Sequence, residues 1–173
     1  GSTVAIGAVN NDGNGSNAGH VRIYQNISNV WTQIGSDIDG EAVEDHFGYS
    51  VSLSADGSIV AIGADRNDGN GSNSGHVRIY KNISGNWVQI GSDIDGEAAE
   101  DHSGWSVNIN SNGSIVAVGA PNNDVAGTDD GHVRIYQNIL GNWVQIGSDI
   151  DGETPWDNSG GSVSLSADGS IVA

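Results

Sequence analysis

The chain has 173 residues, 22 Asp plus Glu against five Lys plus Arg, a formal net charge of -17, and neither cysteine nor methionine. Phosphate contacts require cations, so this balance excludes nucleic acid and disfavours anionic membrane surfaces, and no apolar run is long enough to insert into a bilayer. The absence of thiols removes disulfides and thiolate metal sites.

Gly, Ser, Asn and Asp make up about half of the chain, a composition that in isolation suggests disorder. Yet 36% of residues are hydrophobic and fall in short Val/Ile/Ala runs, enough for a core at this size. No signal peptide is recognisable. The chain opens at Gly1-Ser2 directly in a strand-like run, which is expected of a piece of something longer.

An internal repeat organises everything after that opening. The phrase Gly-His-Val-Arg-Ile-Tyr recurs around His20, His76 and His132; Trp31, Trp87 and Trp143 keep the same spacing, as do Asp37, Asp93 and Asp149. The chain is therefore one segment, 1–173, of three repeats (1–56, 57–112, 113–168) and a stub, 169–173, that repeats the pattern of residues 1–5.

Four strand-like runs make each repeat. In the middle copy, Gly48–Ser54 alternates as a half-buried strand does, and Ser58–Ala64 is apolar enough to be buried on both faces. The Asp56-Gly57 between them becomes Asn112-Gly113 and Asp168-Gly169 in the sister copies, which suits a two-residue hairpin with both positions at positive φ. His76–Tyr80 and Trp87–Ile90 are the third and fourth runs, joined by a turn at Ser84-Gly85-Asn86. No segment has helical periodicity. The expected fold is all-β, with four antiparallel strands per repeat, as in the blade of a β-propeller.

Phe47-Gly48 ahead of a strand, with Gly119-Ala120-Pro121 at the equivalent later position, resembles the FG-GAP repeat, the blade motif of integrin alpha-chain propellers and of many surface proteins. The resemblance runs through all three copies with departures: Ser103 and Ser159 replace the Phe, and Gly63-Ala64-Asp65 and Gly7-Ala8-Val9 replace the full Gly-Ala-Pro. It implies a propeller outside the cell or at its surface, with calcium in the hairpin between the first two strands. That hairpin is here only Ser54–Ser58, too short to wrap an ion, so no metal ligand carries over from the family.

The repeat phase places the second strand first and the first strand last, an arrangement that lets chain ends complete a blade by strand exchange. Three blades are fewer than the ~4–8 of closed propellers, so self-association is expected, either as half of a six-bladed ring or within a longer array.

In such blades the loops after strands two and four share one face. Asp12, Asp65, Asp68, Asp124, Asp129 and Asp130 fall in the former; Asp37, Asp39, Glu41, Glu44, Asp45 and their counterparts, among them Asp93, Asp95, Glu97, Asp149, Asp151 and Glu153, fall in the latter. Only Asp56 and Asp168 are left for the opposite face. Calcium takes six to eight oxygen ligands, and Asp93-Ile94-Asp95-Gly96-Glu97 beside the Asn/Gly-rich loop holding Asp68 offers them. The candidate calcium ligands are Asp37, Asp39, Glu41, Asp93, Asp95, Glu97, Asp149, Asp151, Glu153, Asp12, Asp68 and Asp124. The alternative is that these are solvated turns, where Asp, Asn and Gly serve the backbone.

Other repeated residues read more plainly. His20, His76 and His132 occur once per repeat beside Gly and Val and suit a structural role better than a zinc site. His46 and His102, with Asn158 in the third copy, read likewise. Arg22, Arg78 and Arg134 are expected to pair with an acid of the next blade. The repeated Trp covers a blade edge or, in a lectin-like alternative, stacks on a sugar. Sequons at Asn14, Asn26, Asn70, Asn82 and Asn112 all fall in expected turns, which suits an extracellular setting. With no nucleophile elbow and an acidic pattern repeated three times, no enzyme is expected, because an active site is normally built once. The sequence thus points to an extracellular binding or adhesion module for a protein or glycan ligand, or to a structural unit of a surface assembly.

Overall fold

A computed structural model describes residues 1–124 and 127–173. Its strands are β1 (Thr3–Ala8), β2 (His20–Ile27), β3 (Val30–Gln33), β4 (Ile38–Asp39), β5 (Ser50–Leu53), β6 (Ile59–Ala64), β7 (His76–Ile83), β8 (Asn86–Gln89), β9 (Ile94–Asp95), β10 (Ser106–Ile109), β11 (Ile115–Ala120), β12 (His132–Ile139), β13 (Asn142–Gln145) and β14 (Ile150–Asp151). They form three antiparallel sheets in the orders β1-β2-β3, β5-β6-β7-β8 and β10-β11-β12-β13. Among the described residues there is no helix. The all-β fold with antiparallel sheets is as expected.

Each repeat departs from four simple strands at its outer edge. β8 pairs with the C-terminal half of β7, from Tyr80↔Gln89 to Ile83↔Asn86. The chain then bulges at Ile90–Asp93, with Gly91 at φ 78°, and returns as β9 to pair with the start of β7, His76↔Asp95 and Val77↔Ile94. β4 and β14 do the same against β2 and β12. Asp39, Asp95 and Asp151 therefore stand on strands, where the sequence places them in a loop. The third strands also run on to Ile27, Ile83 and Ile139, which puts Asn26 and Asn82 at strand ends rather than in turns.

The hairpin between first and second strands differs from expectation as well. Only the glycine takes positive φ (Gly57 72°, Gly113 73°, Gly169 77°), and Gly57 N donates to Ser54 O at 2.9 Å. The Asp56 carboxylate accepts from Ser54 Oγ (2.7 Å), Ser58 N (3.0 Å) and Ser58 Oγ (2.8 Å). Such a turn does not fit calcium, because its one carboxylate is already committed to its neighbours.

Two apolar layers join the sheets. Val21, Ile23 and Ile38 of the first sheet meet Val60 and Ile62 of the second, with Phe47 of the connecting segment among them; Val77, Ile79 and Ile94 meet Val107, Ile109, Val116 and Val118 of the third. Full burial of an aliphatic side chain contributes about 1.5–3 kcal/mol. Polar bonds fix the spacing: Trp87 Nε1 donates to Ile34 O (2.9 Å), Trp143 Nε1 to Ile90 O (2.8 Å), Ser50 Oγ to Gly104 O and Ser106 Oγ to Gly160 O (both 2.7 Å). The second and third repeated Trp are therefore seam residues, and their indoles are not free to stack on a sugar.

Candidate functional site

The acidic loops meet the Asn-rich loops within each repeat. Asn14 Nδ2 donates to Gly40 O at 2.8 Å, and Asn70 Nδ2 donates to Gly96 O at 2.8 Å and Glu97 O at 3.1 Å. Asn17 and Asn73 donate to the carboxylates of Glu44 and Glu100. Asp12, Asp68 and Asp124 turn inward: each Oδ1 accepts a backbone N–H five residues on, from Asn17 (2.9 Å), Asn73 (2.8 Å) and Asp129 (2.7 Å). These three candidate ligands close their own loops, as the alternative reading of solvated turns requires.

The acids after the fourth strand face the repeated arginines. Arg22 Nη2 donates to Asp37 at 2.7 Å, Arg78 Nη2 to Asp93 at 2.7 Å and Arg134 Nη2 to Asp149 at 2.6 Å. Arg78 also binds Glu41, and Arg134 binds Glu97, each acid coming from the preceding repeat. Arg78 and Arg134 thus each bridge an acid of their own repeat and one of the repeat before, whereas Arg22 pairs with Asp37 of its own repeat. Arg22 holds Asp37 down at about 2.

Among the described residues, three groupings each bring one ligand atom per residue within 4.8 Å: His20, Asp37 and Asp39; Glu41, His76 and Asp93; Glu97, His132 and Asp149. These acidic and histidine groupings have the composition to hold a metal ion. His76 is 1% exposed, its Nδ1 lies 3.9 Å from both Glu41 and Asp93, and neither ring nitrogen has a hydrogen-bond partner. Burial, seconded by Arg78, lowers its pKa to about 4, so the ring is neutral near pH 7. Asp95 beside them is pushed up by desolvation, by Asp93 and by Glu41. Around Arg78 three carboxylates face one guanidinium. Glu97 and Asp149 pair with Arg134 in the same way, while Asp151 and Glu153 are exposed.

A second cluster occurs once. Asp65, where the sister copies have Val9 and Pro121, is 1% exposed, and its Oδ1 has no hydrogen-bond partner. His46 Nδ1 lies 3.9 Å from that oxygen, and His102 Nδ1 lies 3.5 Å from Oδ2. Their Nε2 atoms face Glu44 at 4.0 Å and Glu100 at 3.9 Å. Asp65 raises the His102 pKa against the opposing effect of burial. Trp105 stands edge-on to His102 at 6.1 Å and tilted against Tyr49 at 4.8 Å. Periodicity does not reveal this cluster, because Asp65 has no counterpart in the sister repeats. The signal lies in the departures: Asp65 for Val or Pro, and Asn158 for His.

Residues 36–80 match the family model described as FG-GAP repeat. No curated protein sequence matches the chain. Among solved structures, the periplasmic gluconolactonase of Pseudomonas aeruginosa superposes with a TM-score of 0.59 at 15% identity, over 98% of this chain and 45% of that one. A Bacteroides uniformis structure described as a 6-phosphogluconolactonase gives 0.55 at 10% identity, over 88% and 40%. The tricorn protease gives 0.51 at 12% identity, over 97% and 13%. The chain thus spans less than half the length of each.

These likenesses correct the exclusion of catalysis drawn from the sequence. The β-propeller-like architecture is shared with two lactonases and a protease, so threefold repetition of acidic loops is no argument against an enzyme. The physical weakness of that exclusion is visible here too, since the Asp65 cluster is built once on the repeated frame. At these identities the likeness shows the fold alone. Residues 36–80 thus match the FG-GAP repeat, within an all-β chain of β-propeller-like antiparallel sheets.

Proposed function

We propose that the chain is an extracellular binding or adhesion module whose acidic loop face takes divalent cations, calcium foremost, at the seams between repeats. The observation that carries this reading is the charge surplus around Arg78, where Glu41, Asp93 and Asp95 face a single guanidinium and Asp95 has a raised pKa. A hard dication with oxygen ligands relieves that surplus where one arginine does not. Exposed sequons at Asn14, Asn70 and Asn112 support the extracellular setting. A protein or glycan ligand would then be held on the same face, through the cation or by the loop amides.

Thermal melting in calcium against chelator, at matched ionic strength, tests it. Millimolar calcium is expected to raise the Tm, and the double change Asp95→Asn with Asp151→Asn to remove that rise. A Tm unmoved by calcium in the unaltered chain would sink the proposal.

A further inference from the structure

Asp65 directly follows β6, and its carboxylate stands between two loops. His46, in the loop ahead of β5, faces Oδ1 at 3.9 Å; His102, in the loop ahead of β10, faces Oδ2 at 3.5 Å. Gaps of this length do not make good hydrogen bonds. Asp65 is 1% exposed, and both its Oδ1 and His102 Nδ1 are buried without a partner. Unmet buried polar atoms are costly, so their convergence from separate segments calls for a group between them.

The far sides of both rings carry what metal-bound imidazoles carry. His46 Nε2 faces Glu44 at 4.0 Å, and His102 Nε2 faces Glu100 at 3.9 Å. A carboxylate on that side favours the proton on Nε2 and leaves the Nδ1 lone pair free to ligate.

The set also disappears as a set. In the third repeat Pro121, Trp156 and Asn158 stand where the second has Asp65, Glu100 and His102. The loop itself does not need the imidazole. His46, His102 and Asn158 share a left-handed backbone (φ 58°, 54° and 52°), and their N–H groups donate alike to the carbonyls of Asn17, Asn73 and Asp129. Asparagine builds this turn as histidine does, so the turn does not account for the two imidazoles.

Two imidazoles and a carboxylate are donors for zinc and its neighbours in the first transition row, whereas calcium takes oxygen. Around a tetrahedral ion with bonds of ~2.1 Å, adjacent ligand atoms lie ~3.4 Å apart, close to the two gaps at Asp65. The set is wider than the three groupings that meet within 4.8 Å, but the His46 and His102 side chains are 14% and 17% exposed, which leaves an ion a way in and the rings room to close. At the seams a guanidinium already holds the carboxylates. Among the described residues no arginine or lysine pairs with Asp65, and Arg66 beside it is exposed.

We infer that His46, Asp65 and His102 form a site for one transition-metal dication, Zn2+ foremost, bound through the two Nδ1 atoms and the Asp65 carboxylate, with water completing the sphere. The ion ties the end of β6 to the loops that precede β5 and β10. The site shares no residue with the calcium reading at Glu41, Asp93 and Asp95 and stands or falls apart from it.

Isothermal titration of the tag-free chain with Zn2+, in millimolar calcium so that oxygen-only sites are occupied, tests the site. One equivalent per chain is expected to bind in the micromolar range or tighter. His102→Asn, which uses the residue the third repeat already has, and Asp65→Asn should each weaken binding roughly a hundredfold, and Glu44→Gln roughly tenfold. Asp95→Asn with Asp151→Asn should leave it unchanged. In the unaltered chain, substoichiometric Co2+ should broaden the ring signals of His46 and His102 before those of His20, His76 and His132. Binding no tighter than millimolar, binding that survives Asp65→Asn, or broadening that begins at His20, His76 or His132 would overturn the inference.

Discussion

His76 and His102 show how one residue type is driven in opposite directions by what surrounds it. His76 is enclosed beside Phe47, whose ring stands edge-on at 6.5 Å, and beside the Arg78 guanidinium, so its protonated form is disfavoured and its pKa falls to about 4. The unfolded chain takes up the proton near the ordinary value of ~6.5. Between those values the unfolded state binds more protons, so His76 makes the fold lose stability as pH falls from about 6.5 to about 4. His132 is shifted the same way by the same causes. His102 is raised by Asp65, so its contribution is fully present below ~6.5 and fades as pH climbs through its own higher value. Imidazole proton resonances check both: His76 should stay unshifted down to about pH 5, and His102 should titrate above the ordinary histidine range. Asp65→Asn is expected to return His102 to that range without moving His76. A His76 signal that titrates near pH 6.5 would contradict the enclosed, unpartnered ring.

Among the strands, the seam geometry can be weighed with two glycines of equal backbone conformation. Gly91 and Gly147 have φ of 78° and 77°, so alanine is strained alike at both. Only at Gly91 would the new methyl meet Trp143 and the Gly141 carbonyl, at 2.8 Å each. Gly91→Ala should therefore cost about 1–3 kcal/mol more than Gly147→Ala in the monomer by urea unfolding, the usual range for overpacking. Equal costs would mean that the indole does not lie over the bulge. The strands and their period were legible because alternation, the Asp-Gly and Asn-Gly turns and the 56-residue spacing all agree. β4, β9 and β14 were not legible. Two residues after a Gly-Ser bulge give no periodicity, and what returns them to the ladder is the length of β7, which outruns β8. Of the site, the convergence of Asn-rich and acidic loops could be read from topology. The choice of partner could not, because a sequence does not tell whether Asp68 faces an ion or the Asn73 N–H.

At the scale of the molecule, segregated charge sets a term that no single contact reveals. Of 22 acids only Asp56 and Asp168 lie in the hairpins away from the acidic loops, and five Lys plus Arg are too few to neutralise the rest. The arginines that pair across seams bring adjoining repeats together, but each seam keeps a surplus of carboxylates around its guanidinium. Repulsion among the loops therefore opposes the compact state, and screening should favour it. The Debye length falls from ~30 Å at 0.01 M to ~8 Å at 0.15 M, below the reach of loop-to-loop repulsion but beyond the contact distances of the Arg78 and Arg134 pairs. Sodium chloride over that range is expected to raise the Tm, with the Arg bridges weakened much less than the repulsion. Glu41→Gln should reduce the salt response, because it removes one charge from the most crowded seam. A Tm that falls with added salt would mean that the bridges outweigh the repulsion, and that the acidic face is already balanced by its own arginines.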